Sequence, residues 1–237
     1  MKIGLIGFGK MGGATQVAAV ERGHEVPVII SSKDEDFSCL EEVDVCIDFT
    51  APDTVWENLQ KIAPFKKNIV IGTTGWESYY ERACQLAEAT PFGMLYAPNF
   101  SFGIYLFKKL VFYAQKLTQP FDFDVAGVEV HHSQKKDAPS GTARDLKGIP
   151  FSSLRVGDII GTHQVLFNSG DDTIELTHRA STRMGFARGA VQVAEWLAGK
   201  VGVFTFDDFM KDMLCDSKEL LHRSSPHSKT KPLMSKG

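Results

Sequence analysis

The run Glu129-Val130-His131-His132-Ser133-Gln134-Lys135-Lys136-Asp137-Ala138-Pro139-Ser140-Gly141-Thr142-Ala143 crowds two imidazoles, two ammonium groups and two carboxylates into one short stretch. A histidine near a strand end exchanges a proton near neutral pH, and a lysine beside it neutralises a substrate anion or acts as an acid. In extended chain His131 and His132 point to opposite faces, so at most one of them continues the side of Glu129. Ser140-Gly141-Thr142 follows a proline and precedes a helical stretch, so its backbone N–H groups and hydroxyls offer a cradle for a carboxylate or phosphate. Each residue alone reads more simply as surface or structural; their clustering points to reduction of an anionic substrate. A second group, His178-Arg179-Ala180-Ser181-Thr182-Arg183, places an arginine that either binds a carboxylate bidentately or pairs with Glu129 or Asp137, catalytically or only structurally. No metal site is expected, because the further histidines His163 and His178 come without a ligating cysteine.

At the other end of the chain Gly7-Phe8-Gly9-Lys10-Met11-Gly12 fits G-x-G-x-x-G directly after a strand and directly before a helix. Such glycines allow a tight turn, the approach of a pyrophosphate to backbone N–H groups, and close packing of helix on strand. The second strand ends in Ser31-Ser32-Lys33, where a carboxylate for an unphosphorylated ribose is absent; hydroxyls and an ammonium suit a 2′-phosphate, favouring NADPH over NADH, with Asp34, Glu35 and Asp36 close by. Asp48-Phe49-Thr50 and Gly72-Thr73-Thr74-Gly75 also stand at strand ends, where they either face the dinucleotide or cap helices.

Short β-branched runs at 3–6, 26–30, 43–49, 68–72 and 94–96 alternate with helical patterns at 11–22, 53–63, 76–89 and 102–117. The alternation predicts an α/β unit, an N-terminal Rossmann-like doubly wound parallel sheet. Beyond residue 120, strand-like stretches at 121–131, 159–168 and 173–178, the last two joined at Ser169-Gly170-Asp171, predict a smaller α+β domain on a mixed or antiparallel sheet. A helical pattern at 187–198 suggests return to the first unit. The expected partition is 1–102 plus 184–214 for the dinucleotide, 103–183 for substrate binding and oligomerisation, and an unstructured Ser- and Pro-rich tail at 215–237.

The 237 residues are 43% hydrophobic and carry 26 basic against 29 acidic side chains, so there is no basic footprint for nucleic acid. No apolar run is long enough to span a bilayer and no cleavable leader opens the chain, which predicts a cytoplasmic protein without membrane partners. The four cysteines, Cys39, Cys46, Cys84 and Cys215, are widely spaced and read as reduced thiols, three of them in cores.

With these residues in hand the sequence resembles the 4-hydroxy-tetrahydrodipicolinate reductase (dihydrodipicolinate reductase) family. The resemblance rests on the glycine loop with Met11-Gly12, Ile47-Asp48-Phe49-Thr50, Ile71-Gly72-Thr73-Thr74-Gly75, Ala97-Pro98-Asn99-Phe100-Ser101, the Glu129–Ala143 string, and Thr177-His178-Arg179-Ala180-Ser181 with Arg183. It implies hydride transfer from NAD(P)H to a cyclic dicarboxylate imine, giving tetrahydrodipicolinate with loss of water, in diaminopimelate and lysine biosynthesis. It further implies acid or base roles for His131 and Lys135 and substrate binding by His132, Gly141 and Thr142, with Ser140 in the same cradle. Cofactor contacts are implied for Gly7, Phe8, Gly9, Lys10, Met11 and Gly12, for Gly72, Thr73 and Thr74, and for Ala97, Pro98, Asn99 and Phe100. Members are typically homotetramers joined through the second domain's sheet. This chain departs from the family in a glycine loop one residue shorter, in Ser31-Ser32-Lys33, and in a trimmed segment between Thr142 and Gly157 that bears on subunit contacts. The rival readings are another two-domain NAD(P)H oxidoreductase and a catalytically inactive NAD(P)H-sensing regulator.

Overall fold

The short apolar runs of the first half become central strands because both of their faces are covered. The structure, a computed structural model, describes residues 1–32 and 36–223, with side chains through residue 214; Lys33 lies outside the described residues. β1 (Lys2–Ile6), β2 (Glu25–Ile30), β3 (Val45–Asp48), β4 (Asn68–Ile71), β5 (Gly93–Tyr96) and β10 (Gly202–Thr205) form a parallel sheet in the order β10-β5-β4-β3-β1-β2. β3 and β4 are buried at every position, as continuous apolar strands between two helical layers must be. One layer holds α1 (Lys10–Glu21) and α6 (Met184–Leu197), the other α2 (Val55–Ile62) and α3 (Tyr80–Ala89). Small residues let α6 sit close: a Cβ on Gly189 would run into the Phe100 carbonyl oxygen.

α4 (Phe102–Thr118) carries the chain to a second sheet of β6 (Asp124–His131), β7 (Phe151–Arg155), β8 (Gly161–Asn168) and β9 (Thr173–Ala180), ordered β7-β6-β8-β9. β6 pairs parallel with β7 and antiparallel with β8, so the sheet is mixed. Its inner face packs Val165 and Phe167 against Phe107 and Val111 of α4. The short α5 (Gly141–Asp145) stands between β6 and β7.

The expected fold class is observed, and two strands are added to the expected elements. β7 has polar residues at three of its five positions, Ser152, Ser153 and Arg155, and β10 is a four-residue edge strand; neither carries a long apolar run. The last helix, α7 (Phe206–Arg223), runs nine residues into the segment expected to be an unstructured tail, whose remainder, 224–237, lies outside the described residues. Cys46 is buried, Cys39 and Cys84 pack half-buried against the same core, and none of the three is in a disulfide; the Cys215 side chain lies outside those described. No helix among the described residues is long and apolar enough to cross a membrane.

Candidate active site

The order of the parallel sheet reverses direction between β1 and β3, which opens a crevice beyond their carboxyl ends. Gly7 leaves β1 with φ +89, where a Cβ would strike the Phe49 carbonyl oxygen, and a Cβ on Gly12 would strike the carbonyl oxygen of Gly7. Gly9 caps α1 without a side-chain hydrogen bond, no acidic residue occupies the first turn, and nothing lies within 4 Å of where its Cβ would be. The N-terminus of α1 is therefore uncrowded at Gly9, which fits the approach of a dinucleotide pyrophosphate to its first N–H groups.

Behind this crevice the buried Asp48 knits the strand ends together. It accepts hydrogen bonds from Thr50 N (3.0 Å), Thr50 Oγ1 (2.7 Å), Thr73 Oγ1 (2.7 Å) and Asn58 Nδ2 (3.1 Å). Burial pushes its carboxyl above the usual range against these neutral donors. The Thr73 hydroxyl, expected to face the cofactor, is thus directed inward. Gly72 leaves no room for a Cβ beside the Phe49 ring. Phe100 is likewise a core residue, edge-on to Phe49 and Phe206 (centroids 6.2 and 5.7 Å), and Ala97 is buried. Thr74, Pro98 and Asn99 reach the cleft between the two sheets.

That cleft, of about 770 Å³, brings Thr74, Pro98 and Asn99 from the parallel sheet opposite His131, His132, Lys135, Ser140, Gly141 and Thr142. Residues of the two sequence clusters, far apart along the chain, therefore line one space. Lys135 Nζ stands 2.7 Å from Asp137 Oδ1, and Asp137 is itself held below the ordinary carboxylate range: burial raises it, but the hydrogen bond and charge of Lys135, a backbone hydrogen bond and the charge of Arg144 together outweigh burial.

The centre of the site lies one layer deeper. Glu129, fully buried on β6, accepts from Ser140 N (3.0 Å), Ser153 Oγ (2.7 Å) and Arg155 Nη2 (3.0 Å). Burying a lone carboxylate costs several kcal/mol. Hydrogen bonds to a charged acceptor contribute about 1.5–3 kcal/mol each, so three of them offset that cost. Burial pushes Glu129 up, the three donors pull harder, and its pKa falls to about 2. Ser153 and Arg155 belong to β7, so sequence reasoning missed both. The one signal was the alternation Phe151, Ser153, Arg155, which puts these side chains on one face of a short strand. Arg155 also donates to the carbonyls of Asp137 (2.6 Å) and Lys135 (3.4 Å), fixing the loop that bears the lysine.

Two expectations are revised here. The partner of Glu129 is Arg155, not Arg183, because β7 lies beside β6 whereas Arg183 caps α6. Within the cradle, Ser140 turns inward: its N–H serves Glu129, while its hydroxyl accepts from Ala143 N (3.3 Å) and pairs with His163 Nε2 (3.0 Å). The buried carboxylate needs those donors more than the cleft does. Gly141 and Thr142 remain as cleft-lining residues of the turn into α5.

His131 is buried with Nδ1 3.6 Å from Glu129 Oε2, and His163 lies edge-on to it with ring centroids 5.0 Å apart. Burial lowers the pKa of both, His163 to about 4 with His131 adding to the effect. Glu129, His131 and His163 have ligand atoms within 4.8 Å of one another, the one such group among the described residues. A dication there would face the Arg155 guanidinium already bound to Glu129, which weighs against a metal.

Comparison with known proteins gives the family. Residues 1–100 match the family model for the dihydrodipicolinate reductase N-terminus, and residues 103–210 match that for the C-terminus. The chain belongs to the dihydrodipicolinate reductase family. It is 35% identical to a 4-hydroxy-tetrahydrodipicolinate reductase of Christiangramia forsetii, over 90% of this chain and 99% of the relative. It is 37% identical to the enzyme of that name from Neisseria meningitidis serogroup B, over 76% of this chain and 77% of the relative. The fold matches a dipicolinate-bound dihydrodipicolinate reductase from Paenisporosarcina sp. TG-14 with a TM-score of 0.71 at 24% identity, over 86% of this chain and 97% of that one. Family membership makes the chain an NAD(P)H-dependent oxidoreductase.

Proposed function

We propose that this chain reduces 4-hydroxy-tetrahydrodipicolinate to tetrahydrodipicolinate, with loss of water, in diaminopimelate and lysine biosynthesis. The observation that carries this reading is the single cleft in which His131, His132, Lys135, Gly141 and Thr142 face Thr74 and Asn99 at the ends of the parallel strands. The nicotinamide, when bound, supplies the hydride. Gly7–Gly12 hold the pyrophosphate over α1, and Thr74, Pro98 and Asn99 border the nicotinamide half. Lys135 and His132 meet the substrate carboxylates together with the Gly141 and Thr142 backbone, and charge-assisted contacts in a closed cleft hold such anions strongly. His131 and Lys135 deliver or hold the proton that balances hydride addition.

NADPH is the preferred nucleotide in this reading, on the hydroxyls of Ser31 and Ser32 and the ammonium of Lys33, residues that follow β2 in the sequence. Residues 103–183 form the substrate and oligomerisation unit, and the protein works in the cytoplasm as a homotetramer. In support of self-association, the sheet face turned away from α4 presents Ala126, Val128, Val130, Leu154 and Leu166, none of them fully buried.

The test is loss of reduced-nicotinamide absorbance with substrate generated in place from pyruvate and aspartate semialdehyde. Turnover is expected with both nucleotides and higher kcat/KM with NADPH; equal values remove the nucleotide preference. Binding of NADPH with no turnover would replace the reading with a sensor, and turnover only with other carbonyl substrates would replace it with a different reductase.

A further inference from the structure

His131 has one ring nitrogen on each side of a boundary. Nδ1 is buried and has no hydrogen-bond partner, and the polar atom it confronts is Glu129 Oε2, 3.6 Å away. Nε2 lies on the edge beside Gly161, where an added Cβ would stand 3.1 Å from it; the glycine leaves that edge room toward the cleft that both residues line. Ser153 and Arg155 both bind Oε1 of Glu129, and the Ser140 N–H spans both oxygens, so Oε2 is the less occupied oxygen; it is turned to His131 Nδ1 and, also at 3.6 Å, to His163 Nε2, which is already paired with the Ser140 hydroxyl.

We propose that Glu129, clamped by Arg155 and Ser153, is a positioning residue that fixes the Nδ1–H tautomer of His131 and stabilises its imidazolium, so that Nε2 exchanges the proton with substrate. The proposal rests on the reductase reading above. In the resting ring the Nδ1 proton points at Oε2 across a gap slightly too long for a hydrogen bond. When Nε2 gains a proton the ring becomes cationic, and closing that gap by less than 1 Å makes a charge-assisted bond of about 2.7–2.9 Å. The carboxylate is not consumed: one proton enters and leaves at Nε2, and the Nδ1 proton stays on the ring. The donors from Ser140 and Ser153 together with Arg155 keep Glu129 anionic throughout, because a protonated Glu129 would give Nδ1 no anion to face.

The charges facing His131 come from every element around it. Glu129 on its own strand raises its proton affinity, as does Asp137 more weakly; Lys135 from the loop and Arg155 from β7 lower it; His163 on β8 presents an imidazole held neutral by burial. The two positioning residues therefore act with opposite sign. Removing the charge of Glu129 lowers the proton affinity of His131, and removing Arg155 raises it.

The experiment is the pH dependence of kcat for wild type, Glu129→Gln and Arg155→Met, with NADPH affinity measured by fluorescence titration. Glu129→Gln is expected to lower kcat about 100-fold, the lower end of what a positioned acid–base group contributes, with NADPH affinity unchanged and the histidine inflection moved to lower pH. Arg155→Met is expected to move the same inflection to higher pH. A purely packing role would move both in one direction or neither, and either result overturns the proposal. Nitrogen-15 NMR of histidine-labelled wild type needs no variant: His131 protonated at Nδ1 near neutral pH is expected, and an Nε2–H tautomer overturns the proposal even if the variants do not fold. Absence of wild-type turnover would instead strike the reductase reading and leave the tautomer measurement standing.

Discussion

Asp48 and Glu129 are both fully buried carboxylates near the carboxyl ends of central strands, and they are held in opposite ways. Asp48 is surrounded by the neutral donors Thr50, Thr73 and Asn58, and burial wins, raising its pKa. Glu129 has a guanidinium at 3.0 Å as well as two further donors, and burial loses, so its pKa falls to about 2. Neutral donors suffice where a carboxyl only has to tie loops together. A fixed cation appears where the group must remain an anion beside a histidine that changes charge. Around Asp48 the cofactor half is thus tied by backbone and neutral side chains, and around Glu129 the catalytic half is held by opposed charges.

The sharpest way to break this contrast is to truncate the charged groups in the cleft. His131→Ala and Lys135→Ala are each expected to lower kcat by about 10²–10⁴, with the NADPH dissociation constant unchanged by fluorescence titration. His132→Ala is expected to raise KM for the substrate and leave kcat near wild type. Unaltered kcat in the His131 variant would remove that residue from the proton transfer.

Acid unfolding separates the halves next. His163 has its pKa lowered from 6.5 to about 4, first by burial and then by His131. Below pH 6.5 the unfolded chain gains a proton that the folded chain refuses, so stability is fully present above that pH and is lost as pH falls toward 4. The loss is at most about 3 kcal/mol. Glu129, lowered from 4.5 to about 2, adds a second loss between those values as pH falls. Asp48 works the other way: its raised pKa gives a contribution present at low pH and lost as pH rises through the folded value. Urea midpoints are expected to drop between pH 7 and pH 5, and His163→Gln to flatten that drop; identical wild-type midpoints at the two pH values would refute it.

In the cofactor half the expected lesion is steric. A methyl on Gly12 meets the Gly7 carbonyl oxygen, and overpacking of about 1–3 kcal/mol corresponds to about 5- to 150-fold weaker NADPH binding where the strain falls on the loop. Gly9→Ala, with nothing within 4 Å of the new Cβ in the free protein, serves as the control for a direct clash with the nucleotide. A Gly12→Ala protein that binds NADPH as tightly as wild type would show that the close packing of loop and helix does not matter.

The same division decides what could be read from the chain. The glycine loop, β1 and α1 are contiguous, and each glycine's steric reason lies within a few residues or on the adjacent strand end, so a local pattern sufficed. The candidates His131 and Lys135 could be named because they crowd one segment. Arg155 and Ser153 could not: they stand on β7, a strand with only Phe151 and Leu154 as large apolar side chains, and their purpose is visible only once β7 pairs with β6. Local chemistry also misjudged Thr73 and Ser140, whose donors serve buried carboxylates rather than the cleft. A buried anion draws in every donor within reach, and which donors those are is a property of strand pairing.

The smallest expected effect is the most discriminating. Asp48→Asn keeps the shape of the side chain and one acceptor oxygen, and Asn58 can turn its amide to offer an oxygen to the new nitrogen. The donors from Thr50 and Thr73 still find the oxygen they now share. The cost is therefore about 1 kcal/mol, the net worth of one ordinary hydrogen bond, with kcat and its pH dependence unchanged. The isosteric change at Glu129 leaves the half-buried Arg155 guanidinium without its anionic partner, and its kinetic effect is expected to be far larger than its volume change would suggest. Chemical denaturation and kcat measured side by side on the two amides give the comparison directly. If Asp48→Asn lowers kcat as much as Glu129→Gln does, the charge of a buried carboxylate is not what distinguishes the two halves, and the positioning role proposed for the ionised Glu129 loses its basis.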